Sequence, residues 1–67
     1  MDVPREEAAF LFRRAEEEAI RAIHTGQPDA AAVHFDMALL YGARARAALT
    51  GHPEPLAIMV ESRLRQP

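Results

Sequence analysis

Three histidines are the side chains best suited to acid–base or metal chemistry, and their spacing favours neither. His24 and His34 lie ten residues apart on different predicted helices, and His52 precedes Pro53 in a turn. The chain has no HExxH motif and no Glu-x-x-His pair that would place two metal ligands on one helix face. We therefore predict no metal site and no cofactor, and we expect His34 to pack on an inner helix face.

Glu16 and Tyr41 are the side chains that could make His34 part of a binding site. Counted outward from the short link between the first two helices, Glu16 lies close enough to His34 to be its hydrogen-bond partner. A small metal- or ligand-binding bundle using His34, Tyr41 and Glu16 is thus an alternative function. The run from Glu16 to Glu18 fans around a helix and is expected to be a solvated face.

Nucleophiles are scarce in this chain. It has no Cys, and its hydroxyl groups other than Tyr41 belong to Thr25, Thr50 and Ser62, none with a base at a helical spacing that suggests activation. It has no glycine-rich phosphate loop. One copy of a 67-residue chain is also too small to enclose a typical substrate pocket. We predict that the protein is not an enzyme.

The charge balance bears on the class of partner. The net charge is −2, with eight Arg and no Lys, which argues against nucleic acid and anionic membranes. Four arginines could still form a modest basic end: Arg44, Arg46, Arg63 and Arg65. A transcriptional or nucleic-acid-associated regulator is therefore a second alternative. No apolar run approaches the ~20 residues that span a membrane, and no charged-then-apolar leader is apparent, which predicts a cytoplasmic protein.

Prolines and glycines divide the chain into three helical segments, at about 4–24, 29–49 and 54–65. Proline suits a first helical turn, and Gly26 and Gly51 suit the position just past a helix end. Residues 56–60 could also form a short strand, but the chain offers no partner strand, so helix is preferred. We predict one all-α domain over residues 1–67: a long antiparallel helical hairpin with a shorter third helix, as a three-helix bundle that is expected to be oligomeric.

Small residues are expected to meet where the two hairpin helices pack. The predicted close contacts join five positions: Ala15, Ala19, Ala38, Gly42 and Ala45. A glycine inside a helix costs about 1 kcal/mol relative to alanine. Close approach of the two backbones would explain Gly42.

The middle helix is apolar nearly all round, so it must be covered on more than one side. A third helix of 12 residues is too short to cover it fully, and exposed apolar patches usually mark partner surfaces. Phe10 projects from the charged face of the first helix and is assigned to the same predicted partner surface. The predicted partner interface comprises Phe10, Val33, Met37 and Leu40. We predict a small non-enzymatic interaction or adaptor module that forms homodimers or larger homo-oligomers, or binds a protein partner.

Two sequence patterns resemble known families. The run Arg14-Ala15-Glu16-Glu17-Glu18, followed by His34-x-x-x-Ala38-x-x-Tyr41, resembles short uncharacterised helical proteins that are common in alphaproteobacteria. This resemblance covers about positions 10–47 and implies a helical hairpin from a bacterium, with no activity attached.

The second pattern is similar to part of a tetratricopeptide helix pair. The positions that match its second helix are Gly26, Ala31, Phe35 and Ala38, whereas the first helix lacks the usual large residues. One unit is present, and such arrays need about three for stability. The similarity therefore implies shared rules of helix packing.

Overall fold

The computed structural model describes residues 3–66, so Met1, Asp2 and Pro67, at the ends of the predicted domain, lie outside the described residues. Three helices follow one another: α1 (Val3–His24), α2 (Pro28–Thr50) and α3 (Pro55–Arg65). Each boundary falls within one residue of the predicted one. Residues 56–60 belong to α3, and the described chain contains no strand, so the all-helical prediction is confirmed.

Proline and glycine set the helix boundaries. Pro28 and Pro55 occupy the first turns of α2 and α3, where a missing N–H group costs nothing. Gly26 and Gly51 adopt the left-handed conformation, with φ of 67° and 74°, just beyond α1 and α2. The Gly51 N–H donates to the carbonyl of Ala47 at 2.8 Å and closes the last turn of α2.

The middle helix lies between the other two. Helix α2 packs against α1 on one side and against α3 on the other, and no Cα atom of α3 comes within 8 Å of α1 among the described residues. The Cα atoms extend 40 × 23 × 12 Å. A width of 23 Å fits three helices side by side at the usual spacing of about 8–10 Å. The protein is therefore a thin layer with two broad faces.

A layer this thin has a small core. The buried apolar residues are Ala8, Ala22, Leu40, Ala43, Ala45 and Val60. Four of these six are alanines, so little apolar area leaves water for each residue. Leu40, only 8% exposed, corrects the prediction that it belongs to a partner surface, because it forms part of the protein's own core.

Ion pairs join α2 to α3 and to Glu54, the residue just before α3. Arg63 binds both carboxylate oxygens of Asp36, at 2.6 and 3.0 Å. Arg44 Nη2 lies 2.8 Å from Glu61 Oε1, and Arg46 Nε lies 2.6 Å from Glu54 Oε1. Arg65 also lies 3.8 Å from Glu61. The four arginines of the predicted basic end thus each face a carboxylate. None of the described helices is both long enough and apolar enough to cross a membrane.

Candidate functional site

The interface between α1 and α2 has a polar side, centred on Glu18. Glu18 is a buried residue, with 2% of its surface exposed. Its Oε1 lies 2.6 Å from His34 Nδ1 on α2, and its Oε2 lies 2.5 Å from Arg21 Nη1. Arg14 Nη2 is 3.6 Å from the same Oε2. A carboxylate taken from water is stable only when its oxygens are bonded in this way.

The pKa of Glu18 lies below its ordinary value of 4.5. The hydrogen bond with His34 is the largest cause, and burial of the carboxyl opposes it by favouring the neutral form. The hydrogen bond and positive charge of Arg21 lower the pKa further. Glu18 is therefore a carboxylate at neutral pH, and His34 must donate from Nδ1 because a carboxylate only accepts.

Tyr41 extends this cluster along α2. The guanidinium carbon of Arg14 lies 5.3 Å from the centre of the Tyr41 ring, within the range of a cation–π contact. Arg14 also donates to Glu17 at 3.0 Å. The structure thus brings together Arg14, Glu18, His34 and Tyr41.

Glu18, rather than Glu16, bonds to His34, which corrects the expected partner. On an α-helix, two side chains that are two positions apart in the sequence, such as those of Glu16 and Glu18, point in directions about 200° apart. Glu18 lies seven residues after Leu11 and four before Ala22, and so continues the buried stripe of α1. Glu16 is exposed on another side. The expectation of a solvated acidic run is therefore wrong for Glu18, and the apolar spacing around it was the signal that could have identified it.

The other side of the same interface is an apolar groove of about 540 Å³. Four small residues line it: Ala15, Ala19, Ala38 and Gly42. Phe35 and Leu39 border it, and Glu16 and Arg46 complete its lining. Small side chains leave the space between α1 and α2 unfilled here, and α3 packs on the far side of α2. Four of the five predicted close-contact residues thus line the groove, and the fifth, Ala45, is fully buried.

Gly42 lines the groove but does not mark a close approach of the helices. A Cβ atom built on Gly42 would meet Arg46 Nη1 at 3.5 Å, an ordinary contact distance, and no backbone of α1 within 4 Å. The explanation expected for this glycine therefore needs correction, because side-chain space remains at position 42. The structure offers no other reason for a glycine there.

The remaining predicted interface residues differ in exposure. Phe10 is 60% exposed and Val33 is 48% exposed, whereas Met37 is half-buried. By helical position, Val33 and Met37 lie on the face of the layer opposite the groove. Their role in binding a partner stays a prediction.

Metal ligands do not converge in the described part of the chain. No three side chains of the His, Cys, Asp or Glu type lie close enough together there to hold an ion. Glu16 does not join His34 and Tyr41, so that trio is not assembled as one site.

Comparison of the chain with models of known families, with curated proteins and with solved structures finds no match. The two family resemblances stay predictions.

Proposed function

We propose that the protein is a small non-enzymatic interaction module that associates with itself through its apolar helix faces. The observation that carries this proposal is the number of large apolar side chains left in water by a one-layer fold. The exposed set comprises Val3, Phe10, Phe12, Ile20, Ile23, Val33, Phe35, Leu39, Leu49, Ile58 and Met59. Single exposed apolar residues are ordinary, but a broad group of them usually marks a binding surface.

The total surface supports the same proposal. A folded monomer of 7.4 kDa is expected to expose about 4,200 Å². This chain exposes 4875 Å², and its radius of gyration of 12.5 Å exceeds the roughly 11 Å of a compact chain of this length. A second subunit would cover part of the excess and supply the core that a single layer lacks.

The charges favour a protein partner over nucleic acid. The arginines of α2 and α3 are engaged with Asp36, Glu54 and Glu61, so the positive charge that would attract phosphates is largely balanced. Duplex binding draws most of its affinity from unbalanced positive charge. A protein surface of similar apolar character suits this chain better.

Sedimentation equilibrium over a wide concentration range tests the proposal. We expect a reversible dimer or larger oligomer whose mass falls towards 7.4 kDa on dilution. A chain that keeps the monomer mass at millimolar concentration contradicts self-association.

A further inference from the structure

We infer that the groove face of α1 and α2 is the surface that a second copy of this chain covers, as a two-fold dimer. This inference rests on the proposed function and specifies its site. The groove face is defined here as the groove together with the exposed apolar residues beside it. Those residues are Phe12 and Ile23 on α1, with Phe35, Leu39 and Leu49 on α2.

Helical spacing places these side chains on one face. Phe12 precedes Glu16 by one turn, and Ile23 follows Ala19 by one turn, so both continue the lining of the groove on α1. Leu49 lies seven residues after Gly42 and continues the lining on α2. The opposite face of α1 is charged rather than apolar, because Arg14, Glu17 and Arg21 lie there.

The area available matches what a dimer needs. The chain exposes about 700 Å² more than a folded monomer of its mass is expected to expose. A standard protein interface buries about 800 Å² on each partner. One contact of standard size would therefore bury an area close to the excess surface of the whole chain.

The shape of the groove face suits its own copy. Phe35 and Leu39, each nearly half exposed, stand beside a recess lined by small residues. In a two-fold dimer each surface meets its own duplicate, so a face with both a projection and a recess can fill itself. Packing Phe35 and Leu39 into the partner's recess would bury apolar surface on both subunits at once.

Single cysteines test which face is covered, because the natural chain contains none. Leu39→Cys probes the groove face, and Val33→Cys is the matched control, since Val33 lies on the same helix, is equally exposed and faces the other way. Each variant is treated with a short bis-maleimide at a concentration where the wild type is dimeric. We expect a covalent dimer from Leu39→Cys at a yield at least tenfold above that from Val33→Cys.

A second pair of variants adds a charge to each face. Leu39→Glu should raise the dissociation constant of the dimer at least tenfold, and Val33→Glu should change it less than twofold. Both side chains are exposed in the subunit, so neither change enters its core, and circular dichroism checks the helical content.

The outcomes separate the inference from the proposed function. A dimeric wild type in which Val33 cross-links as well as or better than Leu39, or in which neither does, overturns the assignment of the groove face and leaves self-association standing. A wild type that stays monomeric overturns both.

Discussion

His34 and Glu18 form a hydrogen bond from α2 to α1, with 2.6 Å between Nδ1 and Oε1. The two residues are 16 positions apart in the chain and lie on antiparallel helices. Apart from this contact and the stacking of Arg14 on Tyr41, small residues line much of the interface, and small residues fit together in several alignments. The hydrogen bond therefore specifies the register of α1 against α2. Sliding one helix along the other by one residue would shift Nδ1 and Oε1 relative to each other by about 1.5 Å.

Replacing Glu18 should destabilise the fold. In Glu18→Gln the amide oxygen can accept from Arg21 and the amide N–H can donate to Nδ1 of the other His34 tautomer, but the negative charge that strengthens both hydrogen bonds is lost. We expect unfolding in urea to require about 1–3 kcal/mol less than for the wild type.

Glu17→Gln is the control for this change. Glu17 neighbours Glu18 and pairs with Arg14, but it is much more exposed, so we expect a loss below about 0.5 kcal/mol. Equal losses for the two variants would show that the buried contact of Glu18 stabilises the protein no more than the exposed contact of Glu17 does.

The stability of the wild type should fall in acid through Glu18. The folded-state pKa of this carboxyl lies below its ordinary value of 4.5 because His34 and Arg21 bond to the charged form. Its stabilising contribution is complete above the unfolded-state pKa and is lost as the pH falls below 4.5 and through the folded-state pKa.

Urea titrations from pH 7 to pH 3 measure this dependence. The wild type and Glu18→Gln should differ most near neutral pH and converge in acid. The groups that face Glu18 are Arg14 and Arg21 on α1 and His34 on α2, and the variant retains all three. A constant difference at all pH values would assign the effect to packing instead.

The helix boundaries follow from the sequence because they depend on local chemistry. Pro28 and Pro55 can begin a helix but not continue one, and Gly26 and Gly51 accept a left-handed turn at little cost. These preferences act within a few residues, so the helix boundaries can be predicted without knowing which distant residues come into contact.

The polar contact and the position of α3 depend on distant residues and could not be predicted in the same way. Glu18 is charged, so it was assigned to the solvent side, although its spacing matches the buried stripe. Its burial requires His34 from α2, sixteen residues away. Likewise, α3 packs against α2 through residues far apart in the chain, such as Arg63 and Asp36, which are 27 positions apart. The groove was missed because small residues at a helix interface predict contact as readily as they predict space.

Gly42→Ala should stabilise the protein. An added Cβ atom would contact only Arg46 Nη1, at 3.5 Å, and alanine is favoured over glycine inside a helix by about 1 kcal/mol. The urea midpoint should rise accordingly at a protein concentration where the chain is monomeric, because Gly42 also lines the groove that a second copy would fill.

Gly51→Ala is the matched glycine control, with the opposite sign expected. Gly51 has a φ of 74°, where an L side chain is strained, so alanine should cost about 1–2 kcal/mol although nothing lies within 4 Å. If Gly42→Ala lowers stability as Gly51→Ala does, the helices approach each other more closely at position 42 than the structure indicates.

Helix α3 should open independently of the hairpin, because it contacts α2 alone among the described helices. Val60 is fully buried, so Val60→Ala should remove about 2 kcal/mol of packing energy from α3. Arg63→Ala removes a bidentate ion pair whose arginine is half exposed, and should cost about 0.5–1 kcal/mol.

Amide hydrogen exchange, measured helix by helix, distinguishes the effects of these two variants. The amides of α3 should exchange about thirtyfold faster in Val60→Ala and less than tenfold faster in Arg63→Ala, while those of α1 keep their wild-type rates. An equal acceleration across all three helices would mean that the layer unfolds as one unit, and that the side of α2 opposite α1 is held as firmly as the Glu18–His34 side.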